Sequence, residues 1–146
     1  PTSFYGDAHS ANGPARYFFI EVRNNHRSKA ALDCYVYLES VTDLSTNQAV
    51  KNETAELKWS GTTLPGVLIA PLSSRKFDAF FLPHDHGTHL LFKVIGVDST
   101  QFLQKPLPQG FYAITYGIHS KNYPLTRGSF RVAFTGELNG VVIEVN

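Results

Sequence analysis

The sequence predicts an all-β fold, an antiparallel β-sandwich of seven to nine strands. Three observations predict it. Apolar residues alternate with polar ones over short runs, as the two-residue period of a pleated strand requires. The connections between those runs are rich in Gly, Pro, Ser and Asn. No segment carries apolar residues at three-and-four spacing over a dozen positions, so no amphipathic helix is expected. An up-and-down barrel is the alternative architecture, because inward alternation looks the same in both.

The 146 residues fit one domain and enclose a core without disulfides or metal. The expected organisation is an N-terminal arm, 1–15, followed by a single β-sandwich domain, 16–146. The arm holds Gly6, Gly13 and Pro14 among small and polar residues, and its Phe4 and Tyr5 are expected to cap a sheet edge or face. From Arg16 to Val41 the chain reads as a hairpin-like pair of strands. Phe18, Ile20 and Val22 share the inward face of the first, and Leu32, Cys34, Val36 and Leu38 that of the second. Thr42 to Thr54 is a polar connection with room for one short edge strand. It includes the sequon Asn52-Glu53-Thr54, a glycan acceptor only in a secretory eukaryotic context.

Further along, Leu57 and Trp59 share the inward face of Glu56 to Ser60, and GTTLPG breaks the chain before Val67 to Ile69. Ser74 to Leu82 places Phe77, Ala79 and Phe81 on one side and Asp78, Phe80 and Leu82 on the other, so both faces are expected to be buried. His89 to Val97 reads as a strand with Lys93 on a partly wet face. Tyr112, Ile114, Tyr116 and Ile118 stand in register in Gly110 to Ser120. Ser129 to Thr135 and Gly140 to Val145 form a closing hairpin, with Phe130, Val132, Phe134, Val141, Ile143 and Val145 inward.

Two stretches carry a resemblance. Phe18 to Leu38, with Val22-Arg23-Asn24-Asn25, a polar turn, Ala30-Ala31 and a second apolar strand, resembles prokaryotic immunoglobulin-like domains of the cell-adhesion-related type, over about a fifth of the chain. Leu107-Pro108-Gln109-Gly110-Phe111-Tyr112 looks like the tyrosine corner of immunoglobulin and fibronectin type III sandwiches, in which the phenol bonds a backbone group upstream. The resemblance implies an immunoglobulin-like β-sandwich. The paired cysteines of antibody-type domains are absent, so it concerns the architecture and not the antibody family.

Composition narrows the function classes. Thirteen basic and twelve acidic residues leave a net charge of +1, which provides no field to attract nucleic acid. No run of eighteen apolar residues argues for membrane insertion of this segment. The single cysteine, Cys34, sits on an apolar strand face and reads as a small buried hydrophobe. Glycine-rich phosphate loops, a Gly-x-Ser-x-Gly elbow and paired-cysteine motifs are all missing, and Glu39, Asp78, Asp98 and Glu144 fall where solvated strand faces would put them. The chain is therefore not expected to be an enzyme.

Two sets of residues are candidate sites. His84, His86 and His89 have His-x-His-x-x-His spacing beside Gly87, with Asp85 between, which could hold a divalent transition metal. The other set follows from alternation: if Phe18 and Cys34 point inward, then Tyr17, Phe19, Tyr35 and Tyr37 point out, four aromatics on one outer face able to contact a protein, a carbohydrate or a second copy of the domain. The expected function is a non-catalytic binding or interaction module, part of a larger surface or membrane-anchored protein, with an extracytoplasmic or membrane-anchored location. The alternative is a metal-binding protein built on the histidine loop.

Overall fold

The computed structural model describes residues 2–3, 8–11, 15–51, 54–62, 66–83, 89–90, 92, 107–137 and 140–145. Among these there are eleven strands and no helix: β1 (Thr2–Ser3), β2 (Ala8–Ala11), β3 (Ala15–Asn24), β4 (Ala31–Asp43), β5 (Gln48–Lys51), β6 (Ala55–Leu57), β7 (Val67–Ile69), β8 (Ser74–Pro83), β9 (Gly110–His119), β10 (Thr126–Phe134) and β11 (Val141–Val145). Every pairing is antiparallel. The count exceeds the expected seven to nine because the strands flanking β3 and β4 are broken into short pieces.

The strands form two sheets. In the first, β3 pairs with β8 along one edge and with β1 and β2 along the other. In the second, β4 pairs with β9, which continues through β10 to β11, while β7, β6 and β5 follow one another along its opposite edge. One core lies between them. It joins Ile20, Phe77 and Phe80 of the first sheet to Val36, Leu38, Tyr116 and Phe130 of the second. Aromatic contacts cross it, Phe77 to Tyr116 at 5.0 Å and Phe80 to Phe130 at 6.2 Å between ring centroids. Burying each such side chain contributes about 1.5–3 kcal/mol. As expected, Phe18, Ile20, Val22, Cys34, Leu57 and Trp59 are buried, as are alternate residues of β9. The closing hairpin is also present, with β10 and β11 in register from Phe130↔Val145 to Phe134↔Val141.

The sheets also approach each other at their margins. After β6 the chain leaves β4 and bridges to β8: Trp59 faces Phe77, Ser60 N donates to the Lys76 carbonyl (2.8 Å) and Asp78 N to the Lys58 carbonyl (2.8 Å). At the other margin β11 comes against β2. Alternation along the strands specifies neither seam.

Three sequence expectations are corrected. First, β3 and β4 are not a hairpin: they belong to different sheets, and 25–30 form an arch between them. Asn24, fully buried, organises that arch. Its Nδ2 donates to the carbonyls of Lys29 (2.9 Å) and Ile69 (3.1 Å), and its Oδ1 accepts from His26 N (3.0 Å). Such bonds allow a buried amide to turn the chain where a tight hairpin turn would have returned it to the same sheet. Second, Leu32 points outward and is exposed, while Ala31 is buried. The register against β7 shifts between Ala31 and Cys34, with Asp33 at φ 48°, and this bulge reverses the alternation. Third, β8 has its own irregularity opposite Phe18 and Phe19. Phe80 pairs with Phe18 and Phe77 with Ile20, so these two aromatics share the core face, whereas Asp78 and Phe81 pair with Phe19 and Tyr17 on the outer face.

Candidate functional site

Of the three histidines, His84 and His86 lie outside the described residues, and His89 is exposed, one residue before the Leu90↔Leu107 bridge. Asp98, Phe4 and Tyr5, the sequon residues Asn52 and Glu53, and most of the strand expected over His89 to Val97 also lie outside them. The metal reading thus rests on the sequence spacing alone.

The four outer aromatics do not gather on one face. Tyr17 and Phe19 lie on the outside of the first sheet, where Tyr17 stacks on Phe81 (5.5 Å) and on Phe19 (6.4 Å). Tyr35 and Tyr37 lie on the outside of the second sheet, because β4 is not a neighbour of β3. There Tyr37 meets His119 edge-on at 4.8 Å, and Tyr35 lies so close to Gly66 that a Cβ there would stand 3.0 Å from its ring. All four are only partly exposed. Each pair spends much of its ring surface on neighbours within its own sheet.

The carboxylates also differ from the expected solvated set. Asp78 is buried: it accepts from Ser60 Oγ at 2.6 Å, and Lys58 Nζ lies 3.9 Å away. Glu39 accepts from Arg127 Nε at 2.8 Å. Of the three described, Glu144 is the one exposed as expected. Glu56, across from Tyr37, has a buried Oε2 with no hydrogen-bond partner among the described residues, and burial pushes its carboxyl above the ordinary range. Cys34 is inert by the same logic. Burial raises its thiol, and its carbonyl accepts from Trp59 Nε1 at 3.0 Å.

The expected corner bond is present. Tyr112 Oη donates to the Pro108 carbonyl at 2.8 Å, and burial, with Asp43 nearby, raises the phenol so that it keeps its proton. Gly110 leaves room for it, since a Cβ there would lie 3.2 Å from Oη. By turning Tyr112 inward, the corner turns its neighbour Phe111 out.

That outward turn builds an open site. Leu44 N donates to the Phe111 carbonyl (2.9 Å), Phe111 pairs with Ala133, and Ala133 with Val142, so the four lie in one row across the outer face of the second sheet. Phe111 and Val142 are 60% and 63% exposed, more than any other large hydrophobic residue described. Between them the small Ala133 leaves a groove of about 390 Å³. One step along the strands, Arg131 pairs with Glu144 at the groove's polar end; both are exposed and neither is in an ion pair with a described residue. Ser45, also lining it, donates through its hydroxyl (2.6 Å) and amide (2.9 Å) to Asp43 Oδ1, holding that carboxyl below its ordinary range.

The alternation that put Tyr112, Val132, Val141 and Ile143 inside also puts Phe111, Ala133 and Val142 outside. The signal was therefore in the sequence, but the cross-strand register that aligns them was not. In comparisons with protein-family models, curated proteins and solved structures, the chain matches none.

Proposed function

We propose that the chain is a non-catalytic binding module on an immunoglobulin-like β-sandwich, and that it binds through the outer face of β9, β10 and β11. The Tyr112 to Pro108 bond supports the immunoglobulin-like reading, since this corner is a feature of such sandwiches. The observation that carries the binding reading is the row Leu44, Phe111, Ala133, Val142, which leaves two large apolar side chains bare around a groove of ligand-binding size. The aromatic pairs Tyr17/Phe19 and Tyr35/Tyr37 are the rival faces. Titrating the 15N-labelled chain with a set of small aromatic and aliphatic fragments tests the choice. The amide shifts should concentrate at 44–45, 111, 131–133 and 142–144. Fragment contacts clustering on β3 or β4 instead would overturn it.

A further inference from the structure

We propose that the groove takes an uncharged saccharide, a reading that rests on the groove being the binding face and adds the class of its ligand. The groove matches such a ligand in charge and in hydrogen-bond donors and acceptors. A guanidinium offers only donors and a carboxylate only acceptors, and here one of each stands side by side on paired positions, Arg131 and Glu144. The pair is neutral overall. A charged ligand would meet one like charge whichever its sign, whereas adjacent hydroxyls of a sugar can accept from Arg131 and donate to Glu144 together.

The apolar part of the groove fits the same ligand. A pyranose ring has a C–H face that packs on an aromatic ring, and Phe111 presents its ring at the groove wall with Val142 opposite. Ala133 forms the floor between them. The volume of about 390 Å³ lies toward the lower end of ligand sites, suited to a short stretch of sugar chain. Ser45 also lines the groove, and with its hydroxyl hydrogen donated to Asp43 its oxygen is left with acceptor capacity.

The test is an NMR titration of the 15N-labelled chain with four soluble probes: the hexamers of β-1,4-linked glucose, xylose, mannose and N-acetylglucosamine. At least one is expected to shift the amides of Phe111, Ala133 and Val142. Phe111→Thr and Arg131→Ala should each weaken that binding by about tenfold or more with the thermal midpoint unchanged, as truncation of a central contact does. If none of the four moves those amides, or if Phe111→Thr binds as tightly as the parent, the saccharide assignment is wrong. Two parallel arms separate that failure from failure of the binding face. An uncharged apolar decapeptide that shifts the same amides, or a sedimenting dimer dispersed by Val142→Glu, overturns the sugar while leaving the face in use. Silence in every arm and in the fragment titration overturns both.

Discussion

The arch at one end of β4 and the groove at the other are both rich in residues that look functional, yet they use them in opposite ways. At the arch, polar groups are consumed by the backbone. Besides the bonds of Asn24, Asn122 Oδ1 accepts from Leu32 N (2.9 Å) and its Nδ2 donates to the Ala30 carbonyl (2.8 Å). Tyr123 Oη donates to the Lys29 carbonyl (2.9 Å), and His26 Nδ1 accepts from the amides of Lys29 (2.9 Å) and Ser28 (3.2 Å). Lys29 Nζ then lies over the Tyr123 ring at 4.9 Å. At the groove, Arg131 and Glu144 are in no ion pair with a described residue, and Phe111 and Val142 face outward. A histidine, an asparagine and a tyrosine drawn together are here a fastening, while a plain phenylalanine and valine form the available surface.

Substitutions can break this contrast, beginning at the arch. Asn24→Ala removes three hydrogen bonds, taking its donor from the buried Ile69 carbonyl while the Lys29 carbonyl keeps the Tyr123 hydroxyl. At a net worth of about 0.5–1.5 kcal/mol per bond, with added cost for unpaired groups, the loss should be about 2–4 kcal/mol. Urea denaturation reads it, and a loss under about 0.5 kcal/mol would mean that water replaces those bonds. Tyr112→Phe removes one bond, to Pro108, and should cost about 0.5–1.5 kcal/mol. An unmoved midpoint would show that the corner contributes nothing.

Glu56 gives a smaller effect whose size depends on pH. Its folded pKa is raised by burial, so its favourable contribution is fully present below the unfolded value of about 4.3 and is lost as pH rises through the folded value. Glu56→Gln should therefore raise the melting midpoint at pH 7 and leave it nearly level with the parent at pH 3. A mutant that melts lower at pH 7 would show that the carboxylate has a partner worth more than its desolvation. The smallest expected change is at the groove, where Val142→Thr keeps a β-branched residue at an exposed position and should alter stability by no more than about 0.5 kcal/mol.

The contrast also explains what was legible in the sequence. Period-two alternation identified the inward residues of β9, β10 and β11, because β9 and β10 bury one face and the alternate residues of β11 pack half-buried against the same core. It failed at Leu32 and along β8, where bulges add a residue and reverse the faces. It also failed for β3 and β4 as a pair. Two adjacent amphipathic strands look alike whether they share a sheet or face each other across a core, and the deciding residue, Asn24, reads as an ordinary turn former. The supposed face of four aromatics fell with that pairing. The groove was half legible: alternation points Phe111 and Val142 outward, but only the registers Phe111↔Ala133 and Ala133↔Val142 make them the two walls of one site.

The most direct test of the contrast is a single experiment, urea unfolding of Asn24→Ala and Phe111→Thr side by side with the parent. If the arch is a fastening and the groove a free surface, Asn24→Ala lowers the free energy of unfolding by about 2–4 kcal/mol, while Phe111→Thr stays within about 0.5 kcal/mol of the parent. Equal losses in the two variants would contradict the account, because Phe111 would then be part of what holds the sheets together.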